Sequence, residues 1–334
     1  MVTIYDIAER AGCSAMTVSR VINNTGRISE KTRQRVKAIM AEMNYVPNIA
    51  ARSLVLQETK LLSLVIPDIT NPFYTTLARG AEDAARKFGY QLLFSNSDEN
   101  LEKENATLDA VISARADGVL IAPVGDGSAP CLEQLKQHNI PVVLLDREVP
   151  GFEADTVLGD SKEGAKALTA MLLAQGHRRI AFINGSLSTS TARQRLLGYR
   201  EGLSSAGIAC DDAIVFEAGF ADTGLAEIIG KLMDLEQRPT AVFAANNKIA
   251  LAAIRSLHAA GLSIPRDMSV VCFDDLEADY VVDPFLTVAA QPAYEFGAVG
   301  VGLLVERIKD RSRQPRTVTL SSALMKRRST APLR

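Results

Sequence analysis

The chain has 334 residues, 47% of them hydrophobic, which suits two or three domains with sizeable cores rather than one. No apolar run approaches the ~18 residues of a membrane span, and Met1-Val2-Thr3-Ile4-Tyr5-Asp6 lacks the basic-then-apolar layout of a signal peptide, so a cytoplasmic protein with no membrane partner is expected. The net charge of −2 hides an asymmetry: residues 1–60 carry nine lysines and arginines against five carboxylates, a net +4, which leaves −6 for the rest and confines any polyanion partner to the N-terminal part.

Thr3 and Asp6 have the spacing of an N-terminal capping pair, and Ile4, Ile7, Ala8 and Ala11 follow at helical spacing. Gly12-Cys13-Ser14 breaks that helix, and Ser14 can cap a second one running from Ala15 to about Asn23. Asn24-Thr25-Gly26 is turn chemistry, and Ser29 can cap a third helix carrying Val36, Ile39, Met40 and Met43. Three short helices with a tight glycine turn between the first two match the helix-turn-helix plan, in which the second helix lies in the major groove. Its candidate exposed face holds Ala15, Met16, Thr17, Ser19 and Arg20, of which Arg20 can donate two hydrogen bonds to guanine or one to phosphate. On helix spacing alone, a small helical bundle with a solvated polar face fits equally well.

The next segment separates the two readings. Pro47 disfavours helix at Val46. Asn48 can then cap the short run Ile49-Ala50-Ala51-Arg52-Ser53-Leu54, which is marginal as an isolated helix. Thr3-Ile4-Tyr5-Asp6-Ile7-Ala8, Thr17-Val18-Ser19-Arg20-Val21-Ile22-Asn23, Asn44-Tyr45-Val46-Pro47-Asn48 and Ala51-Arg52-Ser53-Leu54 together closely resemble the LacI/GalR family of bacterial transcription regulators. The resemblance implies a sequence-specific DNA-binding headpiece (1–47), a hinge helix and linker (48–60) and a ligand-sensing, dimerising core (61–334). It implies DNA contacts from Thr3, Tyr5, Ser14, Ala15, Met16, Thr17, Ser19, Arg20 and Asn23, and from Asn48, Ala51, Arg52 and Leu54 of the hinge. In relatives the residue matching Leu54 wedges into the central base step, in keeping with the behaviour of apolar wedges.

From residue 61 short apolar runs alternate with amphipathic ones. Strands are expected at Leu61–Ile66, Gln91–Ser95, Gly118–Ala122, Val142–Leu145, Ile180–Asn184, Ile214–Glu217, Ala241–Ala244, Ser269–Phe273 and Leu286–Ala289, with helices between them. Such alternation implies parallel sheets covered on both faces. The family resemblance, which covers nearly the whole chain, implies a two-lobed fold like the periplasmic binding proteins with three crossovers. The N-lobe is then about 61–160 and 291–320, and the C-lobe about 161–290 and 321–334. Gly176-His177-Arg178-Arg179-Ile180-Ala181 also matches the family, and here is read as a helix stop leading into a strand. Gly297, Gly300 and Gly302 lie in a helical pattern and are expected to ease packing.

In parallel α/β sheets, ligands sit beyond the carboxyl ends of the strands. Seven expected strand ends carry polar or aromatic groups there: Asn71, Phe73 and Tyr74; Asp146 and Arg147; Arg193 and Arg195; Phe220; Asn246; Asp274; and Gln291. Phe73 and Phe220 can sandwich a flat, partly apolar ring. The carboxylates accept from hydroxyls, the arginines donate, and Asn246 and Gln291 do both. Asp146 and Asp274 against Arg147 and Arg195 sum to zero, which suits a neutral polyol. The pattern is similar to that of ribose-type sugar-binding proteins and the ribose repressor. Purine-sensing relatives carry an aromatic where Arg147 stands and an arginine where Thr189 stands. Relatives usually have aspartate where Asn247 stands, although Asn247 can still cap the helix that follows.

An α/β enzyme is the rival class. No Gly-x-Gly-x-x-Gly follows a strand, no phosphate-loop or His-Glu-x-x-His motif occurs, and His138, His177 and His258 are dispersed. No catalytic activity, cofactor or metal is therefore expected. Cys13, Cys131, Cys210 and Cys272 form no Cys-x-x-Cys and are expected to be free, buried thiols. The resulting expectation is a homodimeric repressor on a pseudo-palindromic operator, released by a small neutral effector, a monosaccharide. A regulator sensing a nucleoside or other small effector, or one that depends on a corepressor, is the alternative.

Overall fold

The computed structural model describes residues 2–45, 58–218, 224–276 and 283–333, and the chain divides into two compact units, Met1–Thr59 and Lys60–Arg334. In the first unit, α1 (Ile4–Ala11) begins in a capping box: the Thr3 hydroxyl accepts from the Asp6 amide, and the Asp6 carboxylate accepts from the Thr3 amide at 2.7 Å. Gly12 ends α1 at φ +59, where a glycine avoids the Cβ clash. Ser14 caps α2 (Ala15–Asn23), and Ser29 caps α3 (Glu30–Glu42). Helices this short do not persist alone. Ile7, Ala8, Ala11, Val18, Val21 and Val36 supply the buried centre that holds them.

The second unit contains two six-stranded sheets. β1 (Leu61–Ile66), β2 (Gln91–Asn96), β3 (Gly118–Ile121), β4 (Val142–Leu145), β5 (Asp155–Gly159) and β11 (Thr317–Leu320) form the first, in the order β11-β5-β4-β3-β1-β2, all parallel. β6 (Ile180–Asn184), β7 (Val215–Glu217), β8 (Ala241–Ala244), β9 (Ser269–Phe273), β10 (Thr287–Ala290) and β12 (Ala323–Met325) form the second, in the order β12-β10-β9-β8-β6-β7. Only β12 runs antiparallel to its neighbour. The chain passes between sheets three times, after Gly159, Ala290 and Leu320.

Helices cover both faces of each sheet. α4 (Pro72–Lys87) and α11 (Ala293–Lys309) pack on Leu62, Leu64 and Ile66 of β1, while α5 (Leu101–Ser113) and α6 (Ala129–Gln137) cover the face that holds Val65. This alternation is the period-two pleat of a strand buried on both sides. In the second lobe α7 (Ser161–Ala174) and α8 (Ser190–Ser205) cover Phe182 and Phe243, and α9 (Leu225–Asp234) and α10 (Asn247–Ala259) cover Ile183 and Val242. α4 and α11 touch nearly backbone to backbone. A Cβ on Gly80 would lie 2.0 Å from the Tyr294 carbonyl oxygen, and one on Gly297 2.0 Å from that of Leu77. Gly300 meets Leu120 and Leu145, but Gly302 faces open space and eases no packing.

Several elements depart from expectation. β5, β11 and β12 were not among the expected strands. β11 and β12 are sheet edges with mostly exposed side chains, so burial imprints no apolar run on them. β10 starts at Thr287 rather than Leu286, and Ile214 lies in a 3₁₀ turn before β7. His177 is structural: its Nδ1 lies 2.9 Å from the Thr240 hydroxyl and its Nε2 3.1 Å from the Ala331 carbonyl. The four cysteines are free, but only Cys131 and Cys272 are buried; Cys13 and Cys210 are half-exposed. No helix among the described residues is long and apolar enough to cross a membrane.

Candidate functional site

The carboxyl ends of both sheets face a cavity of about 190 Å³ between the lobes. This is below the ~300–1,000 Å³ of drug-sized ligand pockets, and so fits a small ligand. Asn71, Phe73, Tyr74, Asp146 and Arg147 line it from the first lobe, and Asn184, Thr189, Arg195, Asn246 and Asp274 from the second.

Two aspartates occupy matching places in the two lobes. Asp146 follows β4 and Asp274 follows β9, at φ +65 and +68. Their amides donate to the neighbouring strand, to Val157 at 2.8 Å and Ala289 at 3.0 Å. A left-handed non-glycine residue costs on the order of 1 kcal/mol, least for Asp and Asn. The Tyr74 hydroxyl donates to Asp146 Oδ2 at 3.0 Å. Asp274 accepts from Gln291 Nε2 at 2.7 Å and from Arg195 Nη2 at 3.3 Å. Burial pushes the Asp274 carboxyl above its ordinary range, against the pull of Arg195.

Arg147 makes a bidentate pair with Glu99, at 2.8 and 2.7 Å, and its Nη1 also donates to the carbonyls of Pro123 and Val124. Burial works against its charge, but Tyr74, Glu99 and Asp146 outweigh it and hold the guanidinium above its ordinary range. Arg195 donates to the Ala245 carbonyl at 2.7 Å and stacks 4.0 Å over the Phe273 ring.

Buried polar atoms are normally paired, and an unpaired one costs about 1–3 kcal/mol. Ten side-chain atoms are buried without a hydrogen-bond partner among the described residues, and four of them are Asp146 Oδ1, Arg147 Nε, Asn184 Oδ1 and Arg195 Nε. All four residues line the one cavity. Together they offer two acceptors and two donors.

Other expected site residues are placed differently. Gln291 does not line the cavity; it holds Asp274. Asn71 lines it but spends its Oδ1 on the Phe73 amide and Asn247 Nδ2. Asn246, not Asn247, caps α10. Arg193 is not among the lining residues and pairs with Asp126. Phe220 lies outside the described residues, and Phe73 packs edge-on against Phe296. The charge balance also changes. Asp68, Asp98 and Glu99 join the two aspartates, and Lys248 joins the two arginines, so the lining carries −2 rather than zero. Asn184, Glu99, Asp68 and Lys248 were missed. Asn184 is the last residue of β6 and Glu99 follows β2, so the strand-end argument reaches both when applied to every strand.

In the headpiece, Tyr5 and Met16 are 73% and 63% exposed, and Thr3, Ser14 and Arg20 are exposed. Ala15, Thr17, Ser19 and Asn23 are half-buried: Ala15 packs on the apolar centre, Thr17 bonds Ser14 at 3.0 Å, and Asn23 donates to Ser19 at 3.3 Å. Asn48, Ala51, Arg52 and Leu54 lie outside the described residues.

A three-helix headpiece followed by a two-lobed parallel α/β core with a polar cleft defines a ligand-responsive, sequence-specific DNA-binding transcription regulator. Residues 3–48 match the model for bacterial regulatory proteins of the lacI family, and residues 169–330 match a periplasmic binding protein-like domain. The chain is 36% identical to the HTH-type transcriptional regulator DegA of Bacillus subtilis (strain 168), over 99% of this chain and 98% of that protein. It is 33% identical to the ribose operon repressor of Escherichia coli (strain K12), over 98% of this chain and 100% of that protein. The chain therefore belongs to the LacI family, whose members bind operator DNA and small effectors and act as dimers. Among solved structures, the lac repressor dimer bound to operator and the anti-inducer ONPF superposes with a TM-score of 0.85 at 28% identity, covering 99% of each chain. A LacI family regulator from Enterococcus faecium with bound ribose gives 0.70 at 31% identity, covering 82% of this chain and all of that one.

Proposed function

We propose that the chain is a repressor of sugar-metabolism genes that binds a pseudo-palindromic operator as a dimer and is released when a monosaccharide occupies the cleft. The observation that carries this reading is the cavity lining, which brings the acceptor residues Asp146 and Asn184 and the donor residues Arg147 and Arg195 together from both lobes. A sugar hydroxyl both donates and accepts, so one polyol can satisfy acceptors and donors together. Phe73 offers an apolar face beside them. The −2 lining opposes carboxylates and phosphates. The ribose-bound relative and the ribose operon repressor point the same way.

The test is a thermal-shift screen of pentoses, hexoses, polyols, sugar acids, sugar phosphates and nucleosides. A bound ligand at a hundredfold its dissociation constant adds about 2.7 kcal/mol of stability. A neutral pentose or hexose is expected to raise the melting temperature, and the acids and phosphates to leave it unchanged. A response confined to nucleosides overturns the sugar reading.

On the DNA side, α2 is assigned to the major groove, with Arg20 on base edges and Met16 against thymine methyls. Leu54 is assigned to the minor-groove wedge. Arg20→Ala is expected to weaken operator binding by about 1–3 kcal/mol, with little effect on random DNA. Fluorescence anisotropy on both DNAs checks this. An equal loss on both makes the contact one to phosphate.

A further inference from the structure

Asp126 and Arg193 lie outside the cavity lining, yet they join the two lobes. Arg193, on α8 of the second lobe, donates from Nη1 and Nη2 to the two carboxylate oxygens of Asp126 at 2.8 and 3.0 Å. The Asp126 amide donates to the Ser188 carbonyl at 3.0 Å, so backbone and side chain of one residue both cross between lobes. Three further bonds cross: the Glu148 amide to the Ser190 hydroxyl at 2.9 Å, Asn247 to Asn71 at 2.9 Å, and Lys248 to Asp68. All of them join protein atoms, so the lobes have an attraction of their own that needs no ligand.

The segment that carries Asp126 also holds the arginine inside the cavity. The Pro123 and Val124 carbonyls accept from Arg147 Nη1 at 2.9 and 3.1 Å. Behind them sits Glu104, a fully buried carboxylate that accepts from the Val124 amide at 2.8 Å. A buried carboxylate is tolerated only where it is hydrogen-bonded, and here its bond fixes the turn. Gly125 lets the turn lie against the other lobe, since a Cβ there would sit 3.0 Å from the Ser188 carbonyl oxygen. Residues 123–128 therefore grip Arg147 on one side and the second lobe on the other.

We propose that the segment Pro123–Ser128 couples effector binding to lobe closure, with the Asp126–Arg193 pair as a latch outside the cavity and Arg147 as its link to the cavity. The coupling rests on the assignment of the cavity as the effector site. Apparent affinity for a ligand of the closed form scales with the closed fraction. A pair that touches no ligand then sets effector affinity, and the ligand-free protein is already partly closed.

The experiment uses the full-length dimer, hydrogen exchange read by mass spectrometry, and D-ribose as the probe. Amides in 123–128 and 186–193 are expected to be protected without ligand. Asp126→Arg and Arg193→Asp are each expected to speed their exchange and weaken D-ribose binding about two- to fivefold, the effect of a partly exposed pair. The double swap is expected to recover both. If a charge reversal speeds exchange in the core strands β3 and β6, Arg193→Gln replaces it, removing the pair without repulsion. Unchanged exchange and affinity in the single variants, or no recovery in the swap, overturns the latch. If D-ribose binds no form of the protein, the ribose assignment fails separately and exchange alone decides: unprotected 123–128 in the ligand-free wild type overturns the latch.

Discussion

Asp146→Ala is expected to abolish the effector response while leaving effector-free operator binding at its wild-type value. The Asp146 carboxylate is buried, its Oδ2 accepts from Tyr74 and its Oδ1 has no partner among the described residues. A hydrogen bond from a ligand hydroxyl to a charged group contributes about 1.5–3 kcal/mol. Truncation loses that bond and also strips the Tyr74 hydroxyl of its acceptor. It further places alanine at φ +65, where a Cβ is strained and only Asn or Asp is readily tolerated. Asp146→Asn separates these effects. It keeps the backbone and an acceptor for Tyr74, but removes the charge and turns the other carboxylate oxygen into an NH2 donor, and is expected to weaken the effector by about tenfold to a hundredfold. Calorimetry with the sugar found in the stability screen, beside anisotropy on effector-free operator, measures both. Loss of operator binding as well makes Asp146 a structural residue, and full affinity in Asp146→Asn means that neither the charge nor the second acceptor is read.

Much of this site follows from short-range chemistry. A hydroxyl or carboxylate just before an apolar periodic run is a helix cap whatever the rest of the chain does, so Thr3, Ser14 and Ser29 are legible from their neighbours. Parallel strands put their carboxyl ends on one edge, so Asp146, Arg147, Arg195, Asn246 and Asp274 could be gathered before any contact was known. What was not legible depends on which way a side chain turns and on whom it meets across the chain. Gln291 stands at a strand end like the others but turns to Asp274. Glu99 stands after β2, but its pairing with Arg147, 48 residues on, depends on Asp98 and Glu99 both being left-handed, at φ +54 and +53, which turns the loop back on itself. No local period announces such a turn. The neutral pocket inferred from two acids and two arginines failed for a different reason: Asp68, after β1, and Asp98 and Glu99, after β2, stand at strand ends that the count of charges left out.

Glu99→Ala is expected to destabilise the core by about 3–5 kcal/mol, because it removes one partner of a buried pair and leaves the other charged. The Arg147 side chain is 8% exposed and that of Glu99 11%, and two of Arg147's four close hydrogen bonds go to this carboxylate. The carbonyls of Pro123 and Val124 remain after truncation but carry no charge, and Asp146 stands 3.9 Å away. Urea unfolding of the effector-free chain at one fixed protein concentration measures the loss, since dimer stability depends on concentration. A change under about 1 kcal/mol, the level of an exposed pair, would mean that water solvates the guanidinium. The double variant Glu99→Ala/Arg147→Met carries the argument further. Replacing a buried pair by apolar groups is often neutral or stabilising, so most of the lost stability is expected to return, yet effector binding is not, because the Arg147 donor is gone. Stability restored without binding identifies the pair as one kept for the ligand rather than for the fold.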